Sequence, residues 1–276
     1  MDDNLKKIES SLKRTVLLIV LLLFTLISAT FAWFTFNTAT NVTPMRGSVS
    51  GTGITLLISD DPDGVFEKEC NLNPYGGMDE YELEPVSTAN LDTFFEAVAM
   101  DENNYAIRFR DVTDEIDSKL IRGTVYLKSV KKDAMVYLDP SKLMFDYGAQ
   151  LLSSMRLGLR ITGENGSFTY IFRLDDYAGG AEELQTVETE GTVVGDINSD
   201  GEAQFEDDPS IQMSDYFADV DADGFVTPGN EVLIELVGDE VATVEYWFYI
   251  EGCDNNTFNE VQDTAGAVTL AFAGCE

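Results

Sequence analysis

Two short acidic stretches hold the residues best suited to chemistry. In DINSDGEAQFED (Asp196–Asp207), side-chain oxygens fall at the first, third and fifth positions: Asp196, Asn198 and Asp200. Gly201 follows, where a sharp turn is needed. Glu202 offers a backbone carbonyl at the seventh position, Gln204 stands at the ninth and Asp207 at the twelfth. Oxygen donors at alternate positions around a glycine turn are how a loop wraps a hard cation such as Ca2+. Asp rather than Glu at the twelfth position shortens the arm that would grip the ion with both oxygens. DVDADGFVTPGN (Asp219–Asn230) repeats the opening with Asp219, Asp221, Asp223 and Gly224. Phe225 supplies the carbonyl, Thr227 the ninth position and Asn230 the twelfth, with Glu231 one residue later able to substitute. Its neutral Asn230 makes it the weaker of the two. Asp, Asn and Gly also favour turns without any metal. Two copies flanking one short helix weigh toward structural calcium.

Composition bounds the remaining chemistry. The 276-residue chain has 50 acidic residues against 17 basic ones, a formal net charge of -33. That surface repels nucleic acid and anionic membranes and attracts divalent cations. There is no histidine, so a Ser-His-Asp triad, a Cys-His dyad and imidazole-based zinc sites are excluded. Carboxylate chemistry stays open, but among so many carboxylates no pair stands out, and the chain reads as a non-enzyme. Cys70, Cys253 and Cys275 form no C-x-x-C motif. Their odd number leaves at least one thiol unpaired in a monomer, while Cys253 and Cys275 could bridge two C-terminal strands.

Elements that would position these loops are mostly strands. GITLLIS (Gly53–Ser59), YAIRFRDV (Tyr105–Val112), GTVYLKSV (Gly123–Val130) and AMVYL (Ala134–Leu138) read as strands. MRLGLRITG alternates apolar and polar residues, the pattern of a half-buried strand, and pairs with SFTYIFRL (Ser167–Leu174) across the turn GENG. EVLIELVG, ATVEYWFYIEG and AVTLAFAG follow near the end, the second placing Val244, Tyr246, Phe248 and Ile250 on one face. Two short helices are expected: Asn90–Ala99 with Asn90 as cap, and Pro209–Phe217 with Asp208 as cap. Many short strands separated by Gly and Asp turns predict an all-β, jelly-roll-like antiparallel β-sandwich. An acidic insertion over residues 182–230 holds both candidate loops.

The N-terminus reads as an export segment. Lys6, Lys7, Lys13 and Arg14 precede the apolar run VLLIVLLLFTLI, and Ser28, Ala29, Thr30 and Ala32 interrupt it. A basic flank, an apolar core and small residues mark a secretory signal cut after Ala32. The alternative is a hydrophobic anchor helix over residues 16–34, about 19 residues and just long enough to span a bilayer. Residues 1–32 are thus signal peptide or membrane anchor, and 33–276 the sandwich domain.

Three phrases, SATFAWFTF, LEPVSTANLDTFF (Leu83–Phe95) and VEYWFYIEGCDNN (Val244–Asn256), occur in matching order. They resemble segments of the TasA/camelysin family of Gram-positive surface and matrix proteins. The first resembles that family's processing junction. The resemblance implies an exported jelly roll that polymerises outside the cell, with the freed strand of about Trp33 to Val42 adding to the sheet of the next subunit. The protease activity attached to the camelysin name finds no H-E-x-x-H here. The acidic insertion departs from the short family members. Asp at a loop's last position is also dockerin-like, but the two loops stand closer than in a dockerin and their flanking helices are incomplete. Partners are then further copies or other surface proteins, with the membrane engaged through residues 16–34 before or without cleavage. An anchored adhesin or a glycan-binding module is the alternative.

Overall fold

The computed structural model describes residues 45–72, 74–75, 83–100, 106–147, 149–174, 192–193, 205–206, 209–253 and 267–276. All belong to the compact unit Thr40–Glu276. The export segment, the junction at Ala32 and the strand Trp33–Val42 lie outside the described residues. Among the described residues no helix is long and apolar enough to cross a membrane.

Among the described residues the first strands are β1 (Arg46–Thr52), β2 (Leu56–Ser59), β3 (Glu69–Asn71) and β4 (Pro85–Val86). A bulged hairpin, β5 (Phe95–Met100) and β6 (Ala106–Asp111), leads to a 3-10 turn at Thr113–Ser118. Next come β7 (Ile121–Ser129), β8 (Ala134–Leu138), β9 (Met144–Phe145) and the short helix α1 (Ala149–Ser154). The hairpin β10 (Met155–Gly163) and β11 (Gly166–Arg173) follows. The acidic region contributes β12 (Thr192–Val193), β13 (Phe205–Glu206), β14 (Ile211–Gln212), a 3-10 turn at Met213–Tyr216, β15 (Asp219–Val220) and β16 (Val226–Thr227). The chain ends with β17 (Ile234–Leu236), β18 (Val241–Glu251) and β19 (Val268–Cys275).

Two large sheets result. The first runs β17-β8-β19-β1-β3, with β9 beside β19. The second runs β14-β11-β10-β18-β7-β2, with β4 beside β18. One core unites them: Val49, Val136, Leu138, Leu270 and Phe272 from the first sheet pack with Leu127, Leu157, Leu159, Phe172, Val244, Tyr246 and Phe248 from the second. The period of two that puts Val244, Tyr246, Phe248 and Ile250 on one face delivers all four into that core. The fold is all-β, as expected, but not wholly antiparallel, because β1 with β19, β11 with β14, and β4 with β18 pair in parallel.

Three local expectations are corrected. Asn90 does not cap a helix. Its Oδ1 accepts the N–H groups of Asp92 (2.8 Å) and Thr93 (3.0 Å) in a turn, and the chain then extends as β5. Pairing with β6, which buries Phe95 with Phe109, overrides the local helical pattern. Within Pro209–Phe217 only Met213–Tyr216 is helical, as one 3-10 turn, because Ile211 and Gln212 pair with β11; Asp208 lies outside the described residues. Strand β10 is not half-buried: even Arg156 is only 2% exposed. The segment from Val86 to Leu120 lies over the outer face of the second sheet, packing Val86, Leu91, Phe94, Val112, Ile116 and Leu120 with Ile171, Trp247 and Tyr249. No disulfide joins Cys253 to Cys275 or either to Cys70.

Phe272 is fully buried where the sheets meet. Phe272→Ala is expected to lower stability by about 3–5 kcal/mol, whereas Thr269→Ala on the same strand stays within about 1 kcal/mol. Urea unfolding of both variants checks this.

Candidate functional site

The ligand positions of the first predicted cation loop, Asp196, Asn198, Asp200, Glu202, Gln204 and Asp207, all lie outside the described residues. The second is described in full, and it is the hairpin β15–β16. Asp221 organises its tip. One carboxylate oxygen, Oδ1, accepts the N–H groups of Asp223 (2.9 Å) and Phe225 (2.8 Å). Gly224 takes φ +80, a left-handed conformation that suits glycine. Thr227 Oγ1 donates to the Asp219 carbonyl at 3.3 Å. Asp219, Asp223, Asn230 and Phe225 stay exposed. Among the described residues no three acidic or thiol side chains converge to hold a metal ion. Asp221 thus serves the turn through Oδ1, while the Asp219 and Asp223 side chains stay at the surface.

The hairpin instead covers the first sheet. Val226 is buried against Tyr137, Ala218, Ala273 and Cys275, and its N–H donates to Thr52 Oγ1 at 2.7 Å. The β15–β16 hairpin is therefore half cover and half solvated tip, which explains why its sequence alternates carboxylates with Val220 and Val226.

A polar groove of about 550 Å³ opens beside β3, lined by Arg46, Asp60, Val65, Glu67, Glu69, Cys70 and Asn71. Burial, reinforced by Asp60, pushes the Cys70 thiol up to about 11. It stays protonated at neutral pH and is a poor nucleophile.

Among the described residues, one cluster of linked charges was not legible in the sequence. Lys119 is only 6% exposed, and its Nζ contacts Glu84 and, at 2.6 Å, Glu96. Arg110 donates to Glu96 (2.6 Å) and to Glu115 (3.1 Å). Burial alone would raise the Glu96 carboxyl, but hydrogen bonds from Lys119 and Arg110 hold it below the usual range. Burial alone would lower Lys119, and its bonds to Glu84 and Glu96 hold it above the usual range. The cluster clamps the layer over the second sheet: Glu84 precedes β4, Glu96 lies in β5, and the Glu84 N–H also donates to the Lys119 carbonyl at 2.9 Å.

The sheet edges differ sharply in protection. At β17, the Leu233 carbonyl accepts Tyr170 OH (2.7 Å) and the Glu235 carbonyl accepts Asn165 Nδ2 (2.9 Å). At β2, Ile58 exchanges both backbone hydrogen bonds with Glu67 (2.7 and 2.9 Å). Strand β3 is three residues long, and short edges template poorly. Strand β11 is different. Only Phe172 and Arg173 pair with β14, and Gly166, Ser167, Phe168 and Thr169 are exposed. Gly163 and Gly166 face each other across the turn Glu164-Asn165. Such a closing pair is hydrogen-bonded, so alternation turns the N–H and C=O of Ser167, Thr169 and Ile171 away from β10. The hairpin is pinned by the Glu240 carboxylate, which accepts the N–H groups of Glu164 and of Val237 (2.8 Å). A Cβ on Gly163 would stand 2.4 Å from Glu240 Oε1, so glycine is needed for that approach. The clue in the sequence is GSFTYI, an uncharged run in a highly charged chain.

No family model matches the chain, and neither a curated protein nor a solved structure does.

In metal-free protein, Asp221→Ala and Gly224→Ala each lower stability by about 1 kcal/mol, and Asp223→Ala has no measurable effect, read by urea unfolding. Lys119→Met lowers stability by about 1–3 kcal/mol near neutral pH, because Glu84 loses its lysine partner and Glu96 keeps only Arg110. Glu96 contributes above its ordinary value of 4.5 and loses that contribution as pH falls through its depressed folded value. Lys119 contributes below its ordinary value of 10.5 and loses that contribution as pH rises through its raised folded value. The gap between wild type and variant therefore narrows in acid and in strong alkali, and stability measured against pH checks both limbs.

Proposed function

We propose that this protein is an exported, non-enzymatic structural subunit of the cell surface or extracellular matrix, built on a jelly-roll β-sandwich and able to self-associate. Strand order carries the reading. In a jelly roll, eight strands lettered B to I in chain order form sheets ordered B-I-D-G and C-H-E-F. Lettering β1, β7, β8, β10, β11, β17, β18 and β19 in that way gives β1-β19-β8-β17 and β7-β18-β10-β11, the orders present here. The parallel pairing of β1 with β19 departs from the all-antiparallel pattern. It accompanies the added strands β2 and β3, which intervene between the first two lettered positions.

That agreement supports the resemblance to exported TasA/camelysin proteins, which until this point rested on short phrases. The N-terminal basic and apolar run supplies the export signal. The uncharged edge of β11 supplies backbone groups of the kind that take an added strand, whether from residues 33–42 of a neighbour or from elsewhere. Calcium at Asp196–Asp207 belongs to the same proposal, as a brace for the acidic insertion.

Intact mass of the protein recovered from surface and membrane fractions tests the reading. The expected mass begins at Trp33, in the surface fraction, from a species that self-associates. A full-length mass confined to the membrane fraction would replace it with an anchored adhesin. Calcium added to the cleaved protein is expected to raise its melting temperature, because a ligand bound only by the folded state adds stability. An unchanged melting temperature at millimolar calcium removes calcium from the proposal and leaves the rest standing.

A further inference from the structure

We infer that the open edge of β11 pairs with the same edge of a second copy, about a two-fold axis at Phe168. The inference rests on the proposed self-association and names its seam. Ser167, Thr169 and Ile171 carry outward backbone donors and acceptors, and no described segment pairs with Ser167 or Thr169 on that side. Gly166 to Ile171 contains no charged residue. Two copies can therefore meet there without like charges facing each other across the seam, although each chain carries a net charge of -33. A basic partner would find no carboxylate on this strand to recognise.

The register follows from what flanks the edge. Hydrogen-bonded pairs must join residues whose groups point outward, so Ser167 and Thr169 are the usable positions. Centring the axis on Thr169 would place Gly166 of one copy opposite Phe172 of the other, where Ile211 of β14 already pairs. Centring it on Phe168 pairs Ser167 of each copy with Thr169 of the other. Phe168, which is 41% exposed, then faces its own counterpart in a non-hydrogen-bonded pair, where side chains stand closest and aromatic residues gain most. On the far side of the sheet, Thr169 Oγ1 accepts Arg160 Nε–H (3.3 Å) and Ser167 shares a hydrogen bond with Thr162 (2.8 Å), so both rotamers are already set. Residual repulsion between two acidic bodies makes the pairing strengthen with salt.

The test uses the full processed chain. Sedimentation velocity from low to high sodium chloride should show a monomer–dimer equilibrium that shifts toward dimer as salt rises. Thr169→Pro removes one outward N–H, and proline is tolerated where that group faces solvent. It should weaken association by about tenfold or more while the melting temperature shows the domain still folded. Thr169→Val keeps the N–H and should associate within about twofold of wild type. With p-benzoylphenylalanine in place of Phe168, photo-crosslinks should map to residues 166–170 of the second copy. Crosslinks to residues 33–42 instead would overturn the β11 seam while leaving the structural-subunit reading intact. Association that weakens with salt, or that survives Thr169→Pro, would overturn it as well. A processed protein that stays monomeric at every salt concentration would remove both the seam and the proposed self-association.

Discussion

The fold depends on its last strand. β19 lies inside the first sheet, parallel to β1 on one side and antiparallel to β8 on the other. It buries residues on both faces: Leu270 and Phe272 enter the core between the sheets, while Ala273 and Cys275 meet the β15–β16 hairpin. Until the C-terminus arrives, β1 and β8 have no common neighbour and that sheet is split. Pairing residues from opposite ends of the domain requires closing a very long loop, a penalty that grows slowly with length but must be met before the contacts form. The apolar density of VTLAFAGC, with no charged residue in eight, is what such late insertion needs.

Both outer faces are also covered, and this governs where polar residues sit. The layer from Val86 to Leu120 lies over the second sheet and the β15–β16 hairpin over part of the first. Buried charges consequently have built partners. Asp139, fully buried, accepts Ser50 Oγ (2.6 Å), Ser141 Oγ (2.6 Å) and the Ser141 N–H (3.0 Å). Lys119 and Glu240 are held as described above. A chain this acidic would repel itself if its interior charges were unmatched. Arg160 shows one such use of a basic residue: it lies over the Trp247 ring at 5.5 Å and donates to Asp92 at 2.8 Å. No lysine or arginine follows Arg173, and more than half of the acidic residues do.

What the sequence made legible was the part governed by local pattern. Alternation in MRLGLRITG and the one-face set Val244, Tyr246, Phe248 and Ile250 located β10 and β18, and GENG located the hairpin between β10 and β11. It failed where tertiary contacts set the outcome. NLDTFFEAVA has helical spacing, yet Phe95 gains more by burial with Phe109 in a strand pair. Arg156 looked solvent-facing because nothing in MRLGLRITG announces a second covering layer. The Asp219–Asn230 loop shows why a ligand pattern is ambiguous: the same spacing of Asp221 and Gly224 also closes a hairpin, with Asp221 accepting backbone N–H groups.

Edges complete the argument. A two-sheet fold exposes strand edges wherever its sheets end, and soluble proteins blunt them with charge, brevity or cover. Here β17 is closed by the side chains of Tyr170 and Asn165, β2 by Glu67, and β3 by its shortness. In a chain with so many carboxylates, the cheapest protection for β11 would have been one more on its exposed face. Instead Ser167, Phe168 and Thr169 are uncharged, and Glu240 and Gly163 hold the hairpin in one register. An uncharged edge that no described segment covers at Ser167 and Thr169 makes sense if contact there is wanted. Net charge then sets how readily that contact forms, since the repulsion it generates at a distance is screened by salt while the short-range backbone pairing is not.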